Sequence, residues 1–449
     1  MMENKNIDVL INNKKTALIL NIILAISIIV AFLSFFRDIN NTIYYGGVDL
    51  RSNVVGARLL LEDKDPYYYI WKEGDSDLLL QPTANPNVPV GHVAVSPTVL
   101  FVYASTAKLP YGIQQNIWFI LQWVFLIMSI YIFARASKSE IKSKLIWILG
   151  LLFISGSFIW RLHVERNKII IFYGFLIAVA FLIYNMSFKH KDLVSGIFIG
   201  FTTALRLPYI LMGIPFFIFK KWKVIAGMAI GLLIGVSLPL IFTKPVIWMN
   251  YFTAMQMQVK INTGEIPSIK YDYIRRTIEG MDNMYLVAVL PVINFSIQAL
   301  FMGYANIVLN TNILLISLII VLGVIAFFLY KYYIKNIGSE LIFLLGIVLV
   351  YLGELFISAA RFNYYDVIFV NILLLIILNM NFISDIINPF LFFLMLGFLS
   401  NVLYFEAFRS SLVIGSIAML IYILSMTFVL YKSEKSREDK LARRFLEMK

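Results

Sequence analysis

Twelve apolar stretches recur along the chain, at 17–36, 113–134, 145–160, 169–187, 193–206, 208–219, 222–243, 308–330, 340–359, 367–381, 386–404 and 411–431. Most run about 14 to 23 residues, close to what a helix needs to cross a hydrocarbon layer. Only a helix or a closed barrel satisfies its own backbone polar groups there. With 60% of 449 residues hydrophobic, 14% charged and a mean hydropathy of +0.82, one soluble domain could not bury so much apolar surface. The expected fold class is an all-α polytopic membrane protein, one transmembrane domain over 1–449 with about 12 spans. The first stretch exceeds a signal-peptide core and has no small-residue cleavage site after it, so it reads as a retained signal anchor. The chain has no cysteine, which excludes disulfides and thiolate metal sites.

Charge orients the spans. Lys14 and Lys15, then Arg135, Lys138, Lys142 and Lys144, then Lys189 and Lys191, Lys220, Lys221 and Lys223, Lys331 and Lys335, and the basic tail 432–449 fall on one side when the spans alternate. The positive-inside rule makes that side cytoplasmic. The short pair 193–219 is kept as an out-and-back hairpin because lysines flank both of its ends. The large loops 37–112 and 244–307 then lie outside, with shorter external turns at 161–168 and 361–366. Pro97–Lys108 and Tyr285–Leu300 are apolar but short and are expected to dip into or lie on the outer surface.

The external basic residues are mostly arginine: Arg37, Arg51, Arg58, Arg161, Arg166, Arg206, Arg275, Arg276, Arg361 and Arg409. Guanidinium is the fork-shaped partner of phosphate. A phosphate-bearing ligand at the outer face would account for this bias, as would pairing with Glu62, Asp65, Glu165 and Asp366 or with lipid headgroups.

The segment GGVDLRSNVVGARLLLEDKDPYYY, residues 46–69, follows the first span. Leu50, Val54, Ala57 and Leu61 share one helical face while Arg51 and Arg58 share another, which predicts an amphipathic helix along the membrane surface, ended by Asp65-Pro66. Asp49 has two readings. It caps the helix, satisfying free N–H groups and complementing the dipole, or it is a general base at a membrane-surface active site.

No P-loop, dinucleotide fingerprint, HExxH motif or Cys/His cluster occurs, so ATP-driven transport, redox and zinc chemistry lose support. His163, in the external turn RLHVERNK beside Glu165 and Arg166, reads as solvated or interfacial. Gly227, Gly231 and Gly235 form a small-xxx-small ladder suited to close helix packing. Charges near the outer span ends cost free energy unless paired or hydrated. Glu354 and Asp366 suit internal salt bridges, whereas Arg206 has no obvious local partner.

In order along the chain, Asp49, GARLLLEDKDPY, SPTVLFVYASTAKLPYGIQQNIWF, VERNKIIIFYGFLIAVAFL, SGIFIGFTTALRLPYILMGIPFFIFKKW, INFSIQALF and SAARFNYYDVIFVNILLL resemble the GT-C glycosyltransferases, most of all glycosyltransferase family 87. Glu165-Arg166 stands where the family has Gly-Gln. The resemblance implies a GT-C-like bundle with extracytoplasmic surface helices. It also implies an inverting transfer of a hexose or pentose, mannose above others, from a polyprenyl-phosphate donor to a glycan or glycolipid acceptor at the outer face of the cytoplasmic membrane.

On this reading Asp49 is the base, Arg206 and Arg361 hold the donor phosphate, and Arg51, Arg58, Tyr67, His163, Glu165, Arg166, Asn294 and Tyr364 touch substrate. The partners are the lipid-linked donor, the acceptor and membrane lipids, with no nucleic acid. No resident cofactor is implied, no metal ligands are assigned and metal dependence stays open. A secondary transporter is the alternative, with charges in mid-span and short loops as its signature; a lipid-linked sugar flippase is another.

Overall fold

The computed structural model describes residues 14–80, 93–262, 296–298, 301, 305–331, 338–357 and 363–379. Among these the chain is helical, with no strand. Five helices are long and apolar enough to cross a membrane: Ala17–Tyr45, Tyr111–Ala136, Trp222–Ile241, Thr311–Lys331 and Ser339–Phe356. Glu140–Gly156 and Phe158–Glu165 make a sixth if the pair, bent by 62°, is one span, and Ile170–Asn185, Leu207–Ile218 and Tyr364–Leu378 are shorter apolar helices. The expected spans at 386–404 and 411–431, with the tail beyond them, lie outside the described residues.

Helix α1 (Lys14–Tyr45) runs past the apolar stretch that ends at Phe36. Its polar continuation is held by partners: Arg37 donates to the carbonyls of Ile154 and Ser155, and the buried Asp38 carboxylate accepts from Arg37 and from Trp160 Nε1. Asn41 donates to Glu165. These bonds seat α1 against the break between α5 (Glu140–Gly156) and α6 (Phe158–Glu165), where Ser157 caps the new helix by accepting from Trp160 N–H. A turn was expected at 161–168; the chain stays helical to Glu165.

The helix expected after α1 forms as α2 (Val48–Leu61), and protein covers most of its residues. Leu50, Val54 and Ala57 join the main core, Leu60 packs with Tyr67, Val93, Leu100 and Ile247, and Val55 and Leu59 pack with Leu79. Helix α3 (Pro97–Ala104) lies beneath it, capped by Ser96. Ser96 Oγ also donates to the carbonyls of Ala204 and Leu205, the last of α8 (Lys191–Leu205), so the first loop fixes the end of a distant helix.

After α4 (Tyr111–Ala136), α5 and α6, helix α7 (Ile170–Asn185) descends to α8. The run after Arg206 is a 3-10 turn (Leu207–Met212) and the short α9 (Gly213–Ile218), which return toward α10 (Trp222–Ser237). The glycine ladder does pack helices: a Cβ at Gly227 or Gly231 would fall on the carbonyl oxygen of Leu193 or Ile197 in α8. Next come α11 (Val246–Asn262), α12 (Thr311–Lys331), α13 (Ser339–Ile357) and α14 (Phe369–Leu378).

Two cross-links orient the ends. Ser339 donates to Asn185 and Lys142 to the carbonyl of Leu378, which places Lys138, Lys142, Lys189 and Lys191, in loops and first helical turns, at one end of the bundle. The last residues of α1, α6, α8 and α13 and the first of α4 and α7 meet at the other end.

Candidate active site

At that second end Gly46 and Gly47, with φ of 66° and 61°, turn the chain from α1 into α2, a conformation glycine adopts without steric cost. The turn is clamped. Arg51 donates to the carbonyls of Gly46 and Tyr45, and the Tyr111 hydroxyl bonds the carbonyl of Gly46 at 2.7 Å. A Cβ at Gly47 would lie 2.9 Å from that hydroxyl. Gly47 is the helix cap, so Asp49 is not; it sits in the first turn of α2 with its side chain turned to the chain that follows α6.

Helix α6 closes in a Schellman arrangement, with Asn167 N–H on the carbonyl of Val164 and Lys168 N–H on that of His163. Asn167 takes the left-handed position at φ 51°. The reversal sends the residues on either side of it to one carboxylate: Arg166 Nη1 lies 3.0 Å from Asp49 Oδ2 and Lys168 Nζ 3.1 Å from Asp49 Oδ1. Asn167 itself accepts from Gln122 at 2.6 Å beneath them. Burial raises the proton affinity of Asp49, but the charges of Lys168 and Arg166 outweigh it, leaving the carboxyl below its ordinary range.

Tyr364 roofs the cluster. Its ring lies 5.3 Å from the Arg166 guanidinium and 5.0 Å from Lys168 Nζ, within cation–π range. Tyr365 stands next to it, ring centroids 5.0 Å apart, and carries the Arg206 guanidinium 4.2 Å above its own face. Arg206 is gripped from behind by Glu354 of α13, which takes Nε on one oxygen and Nη2 on the other. Two charge centres thus flank one tandem of tyrosines. The partner missing from the local sequence of Arg206 comes from 148 residues away.

The other expected site residues within the described range have partners in the protein. Arg58 donates to the carbonyls of Ala107 and Leu78, tying α2 to two loops. Tyr67 is buried against Tyr251, its hydroxyl on the carbonyl of Val95. Glu165 faces Asn41 and Arg161. His163, expected near water, is fully buried: its Nε2 accepts from Ile171 N–H and its ring stacks on Trp160, so it pins the start of α7. Arg361 and Asn294 lie outside the described residues. Lys168 and Asn167 escaped the sequence reading, although basic residues around an asparagine at a helix end are a recognisable C-cap signal.

Among the described residues no three His, Asp or Glu side chains gather as metal ligands. The arrangement can hold an anion through the donors that Arg166 and Lys168 do not spend on Asp49, and it can take a proton on Asp49. The family model for glycosyltransferase family 87 matches residues 96–358, a range that includes Arg166, Lys168, Arg206 and Glu354 and leaves out Asp49 and Tyr364. No curated protein and no solved structure matches the chain. With more than half of its residues covered by that one family model, the chain belongs to glycosyltransferase family 87, a GT-C-type family of membrane glycosyltransferases.

Proposed function

We propose that the chain transfers a sugar from a polyprenyl-phosphate donor to a hydroxyl of a glycan or glycolipid acceptor, with Asp49 as the base and Arg166 and Lys168 as the phosphate contacts. The observation that carries this reading is a carboxylate with one cation on each oxygen, both cations keeping N–H donors under Tyr364 that no other described residue takes. Asp49, Arg166 and Lys168 together carry a net charge of +1, which suits an incoming anion.

Without ligand the cations hold Asp49 ionised and of low basicity. A donor phosphate that draws Arg166 and Lys168 to itself restores basicity to Asp49 when a base is needed. The acceptor oxygen then bonds to the anomeric carbon as its proton passes to Asp49. The bond from that carbon to the phosphate oxygen breaks with its electron pair, and polyprenyl phosphate leaves with its charge offset by the two cations. Attack opposite the leaving group inverts the anomeric centre.

Arg206, bound on two edges by Glu354, takes no part in holding the phosphate on this reading. The lysine-rich end of the bundle is cytoplasmic by the positive-inside rule, so the reaction belongs to the extracytoplasmic face, where no nucleotide sugar is supplied. The test is turnover by the full chain in nanodiscs, offered a panel of polyprenyl-phosphate hexoses and pentoses beside a panel of nucleotide sugars. Turnover is expected only in the first panel; transfer from nucleotide sugars alone would overturn the donor assignment.

A further inference from the structure

The two charge centres on either side of Tyr364 and Tyr365 differ in sign balance. The first holds two cations and one anion. The second holds one of each, since Glu354 takes Arg206 on both of its oxygens. A phosphate gains little at a centre whose positive charge is already matched. A neutral ligand rich in hydroxyl groups is better served there, because it needs donors, acceptors and flat apolar faces rather than net charge.

All three are present. The bonds to Glu354 use Nε and Nη2 of Arg206 and leave Nη1 without a hydrogen bond among the described residues, and the side chain keeps 21% exposure. Tyr365 offers an aromatic ring already lined up with the guanidinium. Tyr209 is 1% exposed and its hydroxyl has no hydrogen-bond partner among the described residues. Its backbone N–H bonds the carbonyl of Arg206 and its ring lies 6.0 Å from that of Tyr173. A buried phenol without a partner costs free energy unless a ligand or solvent meets it. Thus α7, α13 and the 3-10 turn after α8 contribute to one polar centre.

We propose that Arg206, Glu354, Tyr209 and Tyr365 form a subsite for a neutral pyranose ring, separate from the phosphate contacts at Asp49. Arg206 Nη1 donates to a sugar hydroxyl, Glu354, 3% exposed, holds the guanidinium in place from behind, and Tyr365 packs on a C–H face. The inference rests on the sugar-transfer reading for its biological meaning and on the geometry of this centre for its existence. The ring belongs to the acceptor or to the donor, and kinetics separate the two sources.

The experiment measures binding first, apart from turnover. The full chain in phospholipid nanodiscs is titrated with octyl glycosides of glucose, galactose and mannose, below their micelle concentrations, by saturation-transfer NMR. The double variant Arg206→Met with Glu354→Gln removes both charges together, so no unpaired ion stays buried, and Tyr365→Leu removes the ring while keeping the pair. Each is expected to weaken binding of the preferred glycoside at least tenfold with its melting temperature kept within a few degrees. Lys138→Gln, at the opposite end of the bundle, is expected to leave glycoside binding within twofold of the parent. Inorganic phosphate is the probe for the other centre and is expected to bind the double variant as it binds the parent.

In turnover, a rise in KM for one co-substrate alone assigns the ring to it. The proposal is overturned if the parent binds no glycoside, if the double variant and Tyr365→Leu both bind as the parent does, or if Lys138→Gln weakens binding as much as they do. Absence of transfer from every polyprenyl-phosphate sugar, with glycoside binding intact, would instead reject the donor assignment alone. Should the double variant not fold, Tyr365→Leu and Tyr209→Phe decide.

Discussion

Gln122 donates to Asn167 Oδ1 at 2.6 Å from inside the bundle, and the residue it holds is the one whose left-handed backbone aims Arg166 and Lys168 at the same carboxylate. Asn167→Ala is therefore expected to act on both stability and catalysis. The αL conformation costs a β-carbon residue about 1–2 kcal/mol, and the second N–H of the Gln122 amide, left without an acceptor while the Trp118 carbonyl keeps the first, costs roughly 1–3 kcal/mol more. Asn167→Gly restores the backbone but not the hydrogen bond and should fall between the two. Denaturant or thermal unfolding in detergent, run beside turnover, checks the order.

Asp49→Asn is expected to lower transfer about 10²- to 10⁴-fold, the usual loss when a general base is removed, while donor binding is kept or tightened because Arg166 and Lys168 lose their resting partner. Gly47 caps α2, so no capping loss accompanies the change. Turnover near that of the parent would place the base elsewhere.

The pH dependence separates free from loaded enzyme. Two cations hold the Asp49 carboxyl below its ordinary range. The acid limb of kcat/KM, which reports the free enzyme, should lie at lower pH than the acid limb of kcat, where the phosphate has drawn the cations away. Stability follows the same group: the pairing contributes in full above the ordinary carboxylate value, about 3.9, and is lost as pH falls through the lowered folded value. The melting-temperature gap between the parent and Asp49→Asn should stay flat through neutral pH and close only in acid. Coincident limbs would contradict the release of Asp49 by phosphate.

Gly231→Leu is expected to separate α8 from α10, since a Cβ there already meets the Ile197 carbonyl, and close approach is what holds such helix pairs. Loss of thermal stability should exceed that of Gly323→Leu, where a Cβ meets open space.

Sidedness is directly testable because the chain has no cysteine of its own. Lys108→Cys at the site end should react with a membrane-impermeant maleimide on intact cells, and Lys138→Cys at the opposite end only after permeabilisation. The reverse pattern would turn the site to the cytoplasm.

The sequence by itself determined the solvent of this protein, its helical class and its family, because hydropathy, the alternation of lysine loops and the order of short motifs are properties of consecutive residues. The glycine ladder was legible in the same way. Tertiary structure decided which charges cancel. Arg206 looks unpartnered until α13 brings Glu354 to it from 148 positions on, Arg58 bonds the carbonyls of two loops that only packing brings to it, and Lys168 looks like an ordinary loop lysine until the φ of Asn167 turns it onto Asp49. The reason is physical: an apolar span is recognised by its own composition, whereas the net charge of a site is a sum over side chains that only packing brings within a few ångströms of one another.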